Sequence, residues 1–183
     1  HVVGVEPNEK AASYARQTLD VPIHHAVFAE AELEPESYDA IVLWCVVEHL
    51  TDPISDLRRA YALLKEGGWL FFSVPHYESL GAKVFGRYWS GWDLPRHMYV
   101  VPKARQHDIL ESIGFRNIHT RCITTTYHAL GHSLDFWSQA WADRYPRLRR
   151  SMLRLYRSWS VRLGLFIPLE ILERLNLTTN ITY

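Results

Sequence analysis

Short apolar runs alternate along the first half of the chain with longer segments in which apolar residues recur every three to four positions. The runs are rich in β-branched and aromatic residues, as strands are, whereas the longer segments have the period of helices. This alternation predicts an open, mostly parallel sheet with helices on both faces, an α/β fold of the Rossmann-like type. The predicted strands are residues 2–6, 23–28, 38–44 and 69–74.

Capping residues and glycines mark the predicted helices of this part. Asn8 is placed to cap a first helix, and residues 53–65 carry an apolar face that predicts a second. Residues 102–113 form a third apolar-periodic segment, which ends at Gly114. Residues 117–122 then have the composition of a further strand.

The balance of charge changes beyond residue 122. Residues 123–183 hold eight Arg and four acids, about +4, whereas residues 1–122 hold 12 basic and 16 acidic residues, about −4. We therefore divide the chain into a core, 1–122, and a helical section, 123–183, that inserts before or caps the last strand. An apolar stripe of helical period follows residues 152–166, with arginines beside it. Such a stripe packs against the domain, or it forms part of a surface, residues 144–166, that contacts lipid headgroups.

Composition excludes several classes of protein. The apolar run 163–172 is interrupted by Pro168 and Glu170, and no run reaches the roughly 18–20 residues that a membrane-spanning helix needs. Twenty basic and 20 acidic residues cancel, which argues against nucleic acid as the main partner. The two cysteines, Cys45 and Cys122, have no framework or ligand spacing, so we predict a cytoplasmic protein.

Acidic residues follow the first two predicted strands. Ligands of open α/β sheets bind beyond the carboxyl ends of the strands, where a carboxylate can accept both hydroxyls of a ribose. Glu6 is therefore a candidate for binding a nucleoside, although an acid there also caps the following helix. Glu30 and Glu32 are placed to meet an adenine, or they belong to an exposed acidic loop.

Three further motifs occur in a fixed order after these acids. They are S-Y-D-A-I-V at 37–42, E-H-L-x-D-P at 48–53 and L-L-K-x-G-G-x-L at 63–70. With the acid at the end of the first strand, they resemble the class I S-adenosylmethionine-dependent methyltransferases, in the branch of the ubiquinone-biosynthesis O-methyltransferases. Residues 93–97 resemble a D-x-P-R-H signature of some of these proteins. The resemblance covers residues 2–122.

The resemblance implies roles for individual residues. Glu6 would hold the ribose of S-adenosylmethionine, and Pro7 would lie against its adenine. The other implied cofactor-binding residues are Ala29, Glu30 and Ala31 at the adenine edge, and Trp44, Cys45 and His49 near the methionine portion. No metal is predicted, because Glu48 and His49 are two ligands without a third nearby in the sequence. The same pair is equally suited to anchor its turn.

One element of the resembled family is absent. Its first strand and glycine-rich loop should precede Glu6 by about 20 residues, in the manner of dinucleotide-binding folds, and would lie between the strands that begin at Val2 and Tyr38. We therefore expect this chain to be an N-terminally truncated part of a methyltransferase that binds its cofactor poorly alone. Residues 180–183 are predicted to begin the final antiparallel strand.

The acceptor is predicted to be a small molecule, apolar or aromatic in character, methylated on an oxygen. His97 is the first candidate for a general base and His76 the second. Asp93, Arg96 and His97 can instead form a salt-bridged turn. The aromatic residues Tyr77, Phe85, Tyr88, Trp89 and Trp92 line the acceptor site or pack the segment against the sheet. His128 and His132 are expected to face solvent on a helix.

Two other functions stay open at this point. The chain could be a degenerate cofactor-fold module whose Arg- and Trp-rich helices bind a membrane surface or a protein. It could also be a dehydrogenase or a nucleotide-sugar enzyme, since these place an acid after their second strand. A dehydrogenase or a nucleotide-sugar enzyme would leave the E-H-L-x-D-P and L-L-K-x-G-G motifs unexplained.

Overall fold

The computed structural model describes residues 2–122, 126–175, 177–178 and 180–183. Its first strands, β1 (Gly4–Val5) and β2 (Ile23–His24), pair in parallel and are connected by helix α1 (Glu9–Thr18). The side chain of Asn8 accepts a hydrogen bond from the amide of Ala11, which confirms the predicted N-cap. Both strands are shorter than the apolar runs, because only two residues of each form ladder pairs.

A second sheet has the strand order β3-β4-β5. Strand β3 (Tyr38–Trp44) has the predicted bounds and runs parallel to β4 (Leu64–Pro75), and helix α2 (Pro53–Leu63) connects them. Strand β5 (Asn180–Thr182) pairs antiparallel with β4, as predicted. Two of the three strand pairings in the described residues are parallel, which confirms a mostly parallel fold. In the described part β1 and β3 belong to separate sheets, consistent with the expectation that they are not adjacent.

The boundary between α2 and β4 differs from the prediction. The helix ends at Leu63, and β4 begins at Leu64 rather than at residue 69. Tyr38 pairs with Leu64, and Ala40 already pairs with Trp69, so the residues between them bulge out of the ladder. The glycine pair at 67–68 therefore shapes an irregular strand start instead of ending a helix. Gly67 has a φ of +75°, which favours glycine.

The remaining helices follow β4. They are α3 (Leu80–Phe85), α4 (Lys103–Ile113), α5 (Thr126–Gln139), α6 (Pro146–Tyr156) and α7 (Trp159–Arg174). Helix α4 ends at Gly114 as predicted. The predicted strand at 117–122 is wrong, because a single bridge between Arg121 and Thr182 forms there among the described residues. The predicted division of the chain falls at 123–125, outside the described residues, and stays a prediction.

The apolar stripe at 152–166 does not form one helix. Ser158 interrupts it and accepts a hydrogen bond from the amide of Val161, so it caps a new helix, α7. Three members of the stripe, Leu155, Trp159 and Phe166, are 63–70% exposed. The alternative in which the stripe packs against the domain is therefore wrong for these residues.

The core lies between the second sheet and the helices α2 and α4. Its buried members include Leu43, Leu57, Phe72 and Leu110. Tyr183 stacks on Phe72 with ring centroids 4.9 Å apart, which fixes the end of the chain to β4. Because β3 and β4 are parallel, their carboxyl ends lie at one edge of the sheet.

Candidate functional site

A cavity of about 440 Å³ lies at this edge, within the size range of small-molecule sites. Its wall is built from the ends of β3 and β4, the turn after β3, the segment 90–97 and helix α5. The residues that line it include Trp44, Cys45, Glu48, His49, Ser90, Gly91, Asp93, Arg96, His97, His128, Ala129, His132 and Phe136. The fold therefore brings together residues as far apart in the chain as Trp44 and Asn180.

Residues 93–97 form the salt-bridged turn that the sequence allowed. The carbonyl of Asp93 accepts hydrogen bonds from the amides of Arg96 and His97, at 2.9 and 3.2 Å. The Arg96 guanidinium is 2.6 Å from the carboxylate of Asp93. These contacts hold Asp93 and His97 on one side of the turn.

His97 has one nitrogen committed and the other available. Its Nδ1 is 2.7 Å from the carbonyl oxygen of Gly91, which can only accept, so Nδ1 carries the hydrogen. In the neutral ring Nε2 then holds the lone pair and can accept a proton. The carboxylate of Asp93 lies 3.9 Å from Nε2, where it would stabilise the imidazolium.

The turn after β3 is tied to this segment. Val47–His49 is a short 3₁₀ helix, and the carbonyl of Glu48 accepts a hydrogen bond of 2.8 Å from the amide of Met98. His49 Nδ1 donates to the carbonyl of Arg96 over 3.0 Å. These bonds support the anchoring alternative for Glu48 and His49, because they fix the segment that carries His97.

The carboxylate of Glu48 is buried beside the two histidines. The residue is 2% exposed, its Oε2 has no hydrogen-bond partner among the residues that the structure describes, and burial raises the pKa of the carboxyl group. One ligand atom each from Glu48, His49 and His97 lies within 4.8 Å of the others. Glu48 and His49 are adjacent in the sequence, and the fold adds His97 as a third potential ligand. One carboxylate and two imidazoles are a set of ligands that can bind zinc and related divalent ions.

Trp44 and Cys45 line the cavity where β3 ends. Cys45 has a φ of +53°, and its amide donates to the hydroxyl of Ser73 over 3.0 Å. Ser73 is fully buried on β4, so it holds the backbone in this tight turn. Of the predicted cofactor residues, the fold brings Trp44, Cys45 and His49 to one cavity.

The other predicted cofactor residues do not line this cavity. Glu6 accepts a hydrogen bond of 2.8 Å from the amide of Asn8, so one of its oxygens caps the turn before α1. Pro7 is exposed beside it.

Ala29, Glu30 and Ala31 lie in the loop after β2. The amides of Glu30 and Ala31 both donate to the carbonyl of Val27, which occupies them within the turn. Ala31 is buried, whereas Ala29 and Glu30 are exposed. Their roles toward an adenine, like those of Glu6 and Pro7, stay predictions.

His76 is separated from the cavity wall. It is buried at the end of β4, and its Nδ1 donates to the carbonyl of Thr178 over 3.2 Å. Burial lowers the pKa of this histidine. Of the two candidate bases, His97 is the one that lines the cavity.

The predicted aromatic cluster packs mainly on itself. Trp89 is 1% exposed and contacts Trp92 edge to face, with ring centroids 5.4 Å apart. Tyr77 stacks on Trp92 at 6.2 Å. This arrangement favours the packing alternative for these rings over an acceptor pocket.

Helix α5 supplies a wall that the sequence did not indicate. His128, His132 and Phe136 recur every four residues and line the cavity, and the two histidines are exposed, as expected for solvent-facing positions of a helix. Ser133, on the same helix, accepts a hydrogen bond of 2.9 Å from the amide of Ser90. The helical period of α5 was visible in the sequence. The contact of its Ser133 with Ser90, 43 residues away in the chain, was not.

Comparisons with known proteins agree with this fold. A family model described as "Methyltransferase domain" matches residues 1–120. The chain is 28% identical over 146 residues to the ubiquinone biosynthesis O-methyltransferase of Vibrio cholerae, covering 73% of this chain and 59% of the relative. It therefore spans about three fifths of that relative's length.

Solved structures show the same fold. A SAM-dependent methyltransferase from Archaeoglobus fulgidus has a TM-score of 0.57 at 17% identity, covering 98% of this chain and 73% of that one. Phosphoethanolamine N-methyltransferase 2 of Haemonchus contortus, solved with S-adenosyl-L-methionine, has a TM-score of 0.56 at 19% identity, covering 99% and 41%. Since the family model matches about two thirds of the residues, 120 of 183, the chain belongs to the methyltransferase domain family.

Proposed function

We propose that this protein transfers a methyl group from S-adenosylmethionine to an oxygen atom of a small-molecule acceptor. The observation that carries the proposal is the arrangement of His97 in a cavity at the carboxyl ends of two parallel strands. Ligands of open α/β folds bind at this edge. Membership of the methyltransferase domain family supports the cofactor and argues against the dehydrogenase and nucleotide-sugar alternatives.

The cofactor supplies an electrophilic methyl group on a sulfonium, so the protein's contribution is alignment and proton transfer. Trp44 and Cys45, which line the cavity at the end of β3, would border the methionine portion of the cofactor. The carboxylate of Glu6, with one oxygen committed to Asn8, keeps a second oxygen for a ribose hydroxyl. Ala29 and Glu30 would border the adenine from the loop after β2.

His97 would remove the proton from the acceptor. The bond from Nδ1 to the carbonyl of Gly91 fixes the tautomer in which Nε2 is the base. Nε2 would take up the proton that the acceptor oxygen loses when it is methylated. The carboxylate of Asp93, 3.9 Å away, stabilises the resulting charge.

The remaining wall defines the class of acceptor. Trp44 offers apolar surface from the end of β3, and helix α5 offers the ring of Phe136 together with the polar nitrogens of His128 and His132. A ring that carries a hydroxyl group matches this combination of apolar and polar contacts. The named relative acts in ubiquinone biosynthesis, which also favours a ring-shaped acceptor for this chain.

Two variants test the role of His97. His97→Asn keeps a nitrogen able to donate to Gly91 but removes the base, so we expect the turnover number to fall about 100-fold or more. His132→Asn, in the same cavity, is the matched control and should change turnover by less than about tenfold. Transfer of a labelled methyl group to a panel of phenols, beside titration with S-adenosylhomocysteine, measures activity and cofactor binding separately.

The two measurements separate two kinds of failure. If S-adenosylhomocysteine binds and His97→Asn retains its turnover, the assigned base is wrong while the function stands. If neither S-adenosylhomocysteine binding nor transfer is detected even in a longer chain that includes the expected first strand and glycine-rich loop, the alternative of a degenerate cofactor-fold module gains support. We place the protein in the cytoplasm on cysteine usage alone, as a proposal.

A further inference from the structure

A stretch of 26 residues in the last third of the chain carries only positive charge. Residues 144–169, which span α6 and the first part of α7, contain seven Arg and no Lys, Asp or Glu. The carboxylate of Asp135 pairs with one of them, Arg149. Arg150, Arg154 and Arg157 are exposed, so this stretch presents positive charge at the surface.

An exposed apolar face lies on α7 within the same stretch. Trp159, Leu163, Phe166 and Ile167 follow the spacing i, i+4, i+7 and i+8, which places them on one side of the helix. Each is between 56% and 70% exposed. Four large apolar side chains on one side of one helix form a patch rather than the scattered exposure that is normal at surfaces.

Other side chains of α6 and α7 anchor these helices to the rest of the protein. Tyr156 of α6 stacks on Tyr127 of α5, with ring centroids 4.6 Å apart, and each hydroxyl donates to the other's backbone carbonyl. Gly131 lets Tyr156 approach, since a Cβ at that position would lie 2.8 Å from its ring. Leu169 of α7 is buried. The exposed face is therefore presented by packed helices and is not a consequence of their detachment.

We propose that this face, Trp159, Leu163, Phe166 and Ile167 with the exposed Arg154, Arg157 and Arg162 near it in the sequence, binds the surface of an anionic lipid bilayer. Apolar side chains on one face and arginines beside them are the pattern of helices that lie in the membrane interface. The charge decides the occupant, because a neutral apolar partner would leave these guanidinium groups without counter-charge, whereas lipid phosphates supply it.

The helices lie on the bilayer and do not cross it. Helix α7 has 16 residues, about 24 Å at 1.5 Å per residue, and Pro168 lies within it. Among the described residues, no helix combines the length and the hydropathy that a membrane span requires. This binding is independent of methyl transfer, and it would hold the protein beside acceptors that dissolve in lipid.

Sedimentation with vesicles tests the inference. The full chain is mixed with vesicles of phosphatidylcholine, or of phosphatidylcholine with 30% phosphatidylglycerol, and the bound fraction is measured against lipid concentration. Each arginine near an anionic surface contributes about fivefold in affinity. We therefore expect Arg154→Gln with Arg157→Gln to weaken binding to the anionic vesicles about 25-fold, and 0.5 M salt to weaken wild-type binding.

A matched control distinguishes this face from exposed positive charge in general. Arg58→Gln with Arg105→Gln removes two exposed arginines elsewhere, and should leave binding within about twofold. Trp159→Ser with Phe166→Ser should abolish most of it. Circular dichroism and thermal unfolding establish that each variant is folded.

Three results would overturn the proposal. They are equal affinity for neutral and anionic vesicles, absence of binding to both, and equal losses in the variants and their controls. A concentration-dependent dimer that Trp159→Ser with Phe166→Ser abolishes, seen by light scattering without vesicle binding, would assign the face to a second copy instead.

Discussion

Arg59 connects helix α2 to the loop after β2, which carries the predicted adenine-binding residues Ala29 and Glu30. Its removal tests how this loop is held in place. From α2, its Nε donates to the carbonyl of Phe28 over 3.0 Å, and its Nη2 donates to the carbonyl of Ala31. The guanidinium also lies 5.8 Å from the centre of the Phe28 ring. The variant Arg59→Met keeps an unbranched apolar side chain and removes both donors.

The expected loss of stability follows from these contacts. A hydrogen bond to a charged group contributes about 1.5–3 kcal/mol, and the lower part of that range applies because Arg59 is only half-buried. Two such bonds give a loss of about 3–4 kcal/mol in the free energy of unfolding. For a chain of this size the midpoint of thermal unfolding should fall by roughly 5–15 °C.

Arg58→Met is the control, since it removes the neighbouring charge from the same helix at an exposed position. Urea denaturation of both variants gives the difference in free energy, and limited proteolysis reports opening of residues 28–34. Loop opening should also weaken S-adenosylhomocysteine binding if Ala29 and Glu30 border the adenine. If the free energies of unfolding of the two variants differ by less than about 0.5 kcal/mol, the hydrogen bonds of Arg59 to the loop do not stabilise the fold as expected. This result would not depend on the function of the protein.

Three other expectations follow from single contacts. Burial lowers the pKa of His76, so below about its ordinary value of 6.5 the unfolded chain takes up a proton that the folded state resists, and stability falls as the pH drops. His76→Asn, which can still donate to the carbonyl of Thr178, should reduce the difference in urea midpoints between pH 7 and pH 5.5; equal differences would contradict this. Glu6→Ala should weaken binding of S-adenosylhomocysteine at least about tenfold in calorimetry with little change in unfolding temperature, and unchanged affinity would mean that Glu6 is only a cap. Gly131→Ala should destabilise the helical section by about 1–2 kcal/mol, because overpacking against Tyr156 exceeds the gain in helix propensity, and a stabilised variant would show that the ring moves aside.

Local signals determined most of the elements. The side chain of Asn8 at the start of α1 and Gly114 at the end of α4 act within a few residues, so they could be identified without knowing the fold. Strand β3 has its predicted bounds because it is a short β-rich run with clear flanks. The order of the motifs at 37–70 also identified the family, since that information is contained in the sequence itself.

Elements whose ends depend on partners were predicted less well. Strand β4 extends back to Leu64 because Tyr38 is available to pair with it, and residues 117–122 form no strand because little of them finds a partner. The break at Ser158 did carry a local signal, a serine at the start of a helix. The continuous apolar period across it concealed that signal.

The sequence by itself determined most of the helices and strands, which family the chain belongs to and that His97 was a candidate base. Only the tertiary structure decided that the carbonyl of Gly91 selects its tautomer, that Glu48 and His49 lie beside it, and that α5 closes the cavity opposite. The physical reason is the distance along the sequence between the interacting residues, because helix caps and hydrophobic periodicity depend on residues only a few positions apart. A cavity, a buried carboxylate and an exposed apolar face result from contacts between segments tens of residues apart, and these depend on how the helices and strands pack.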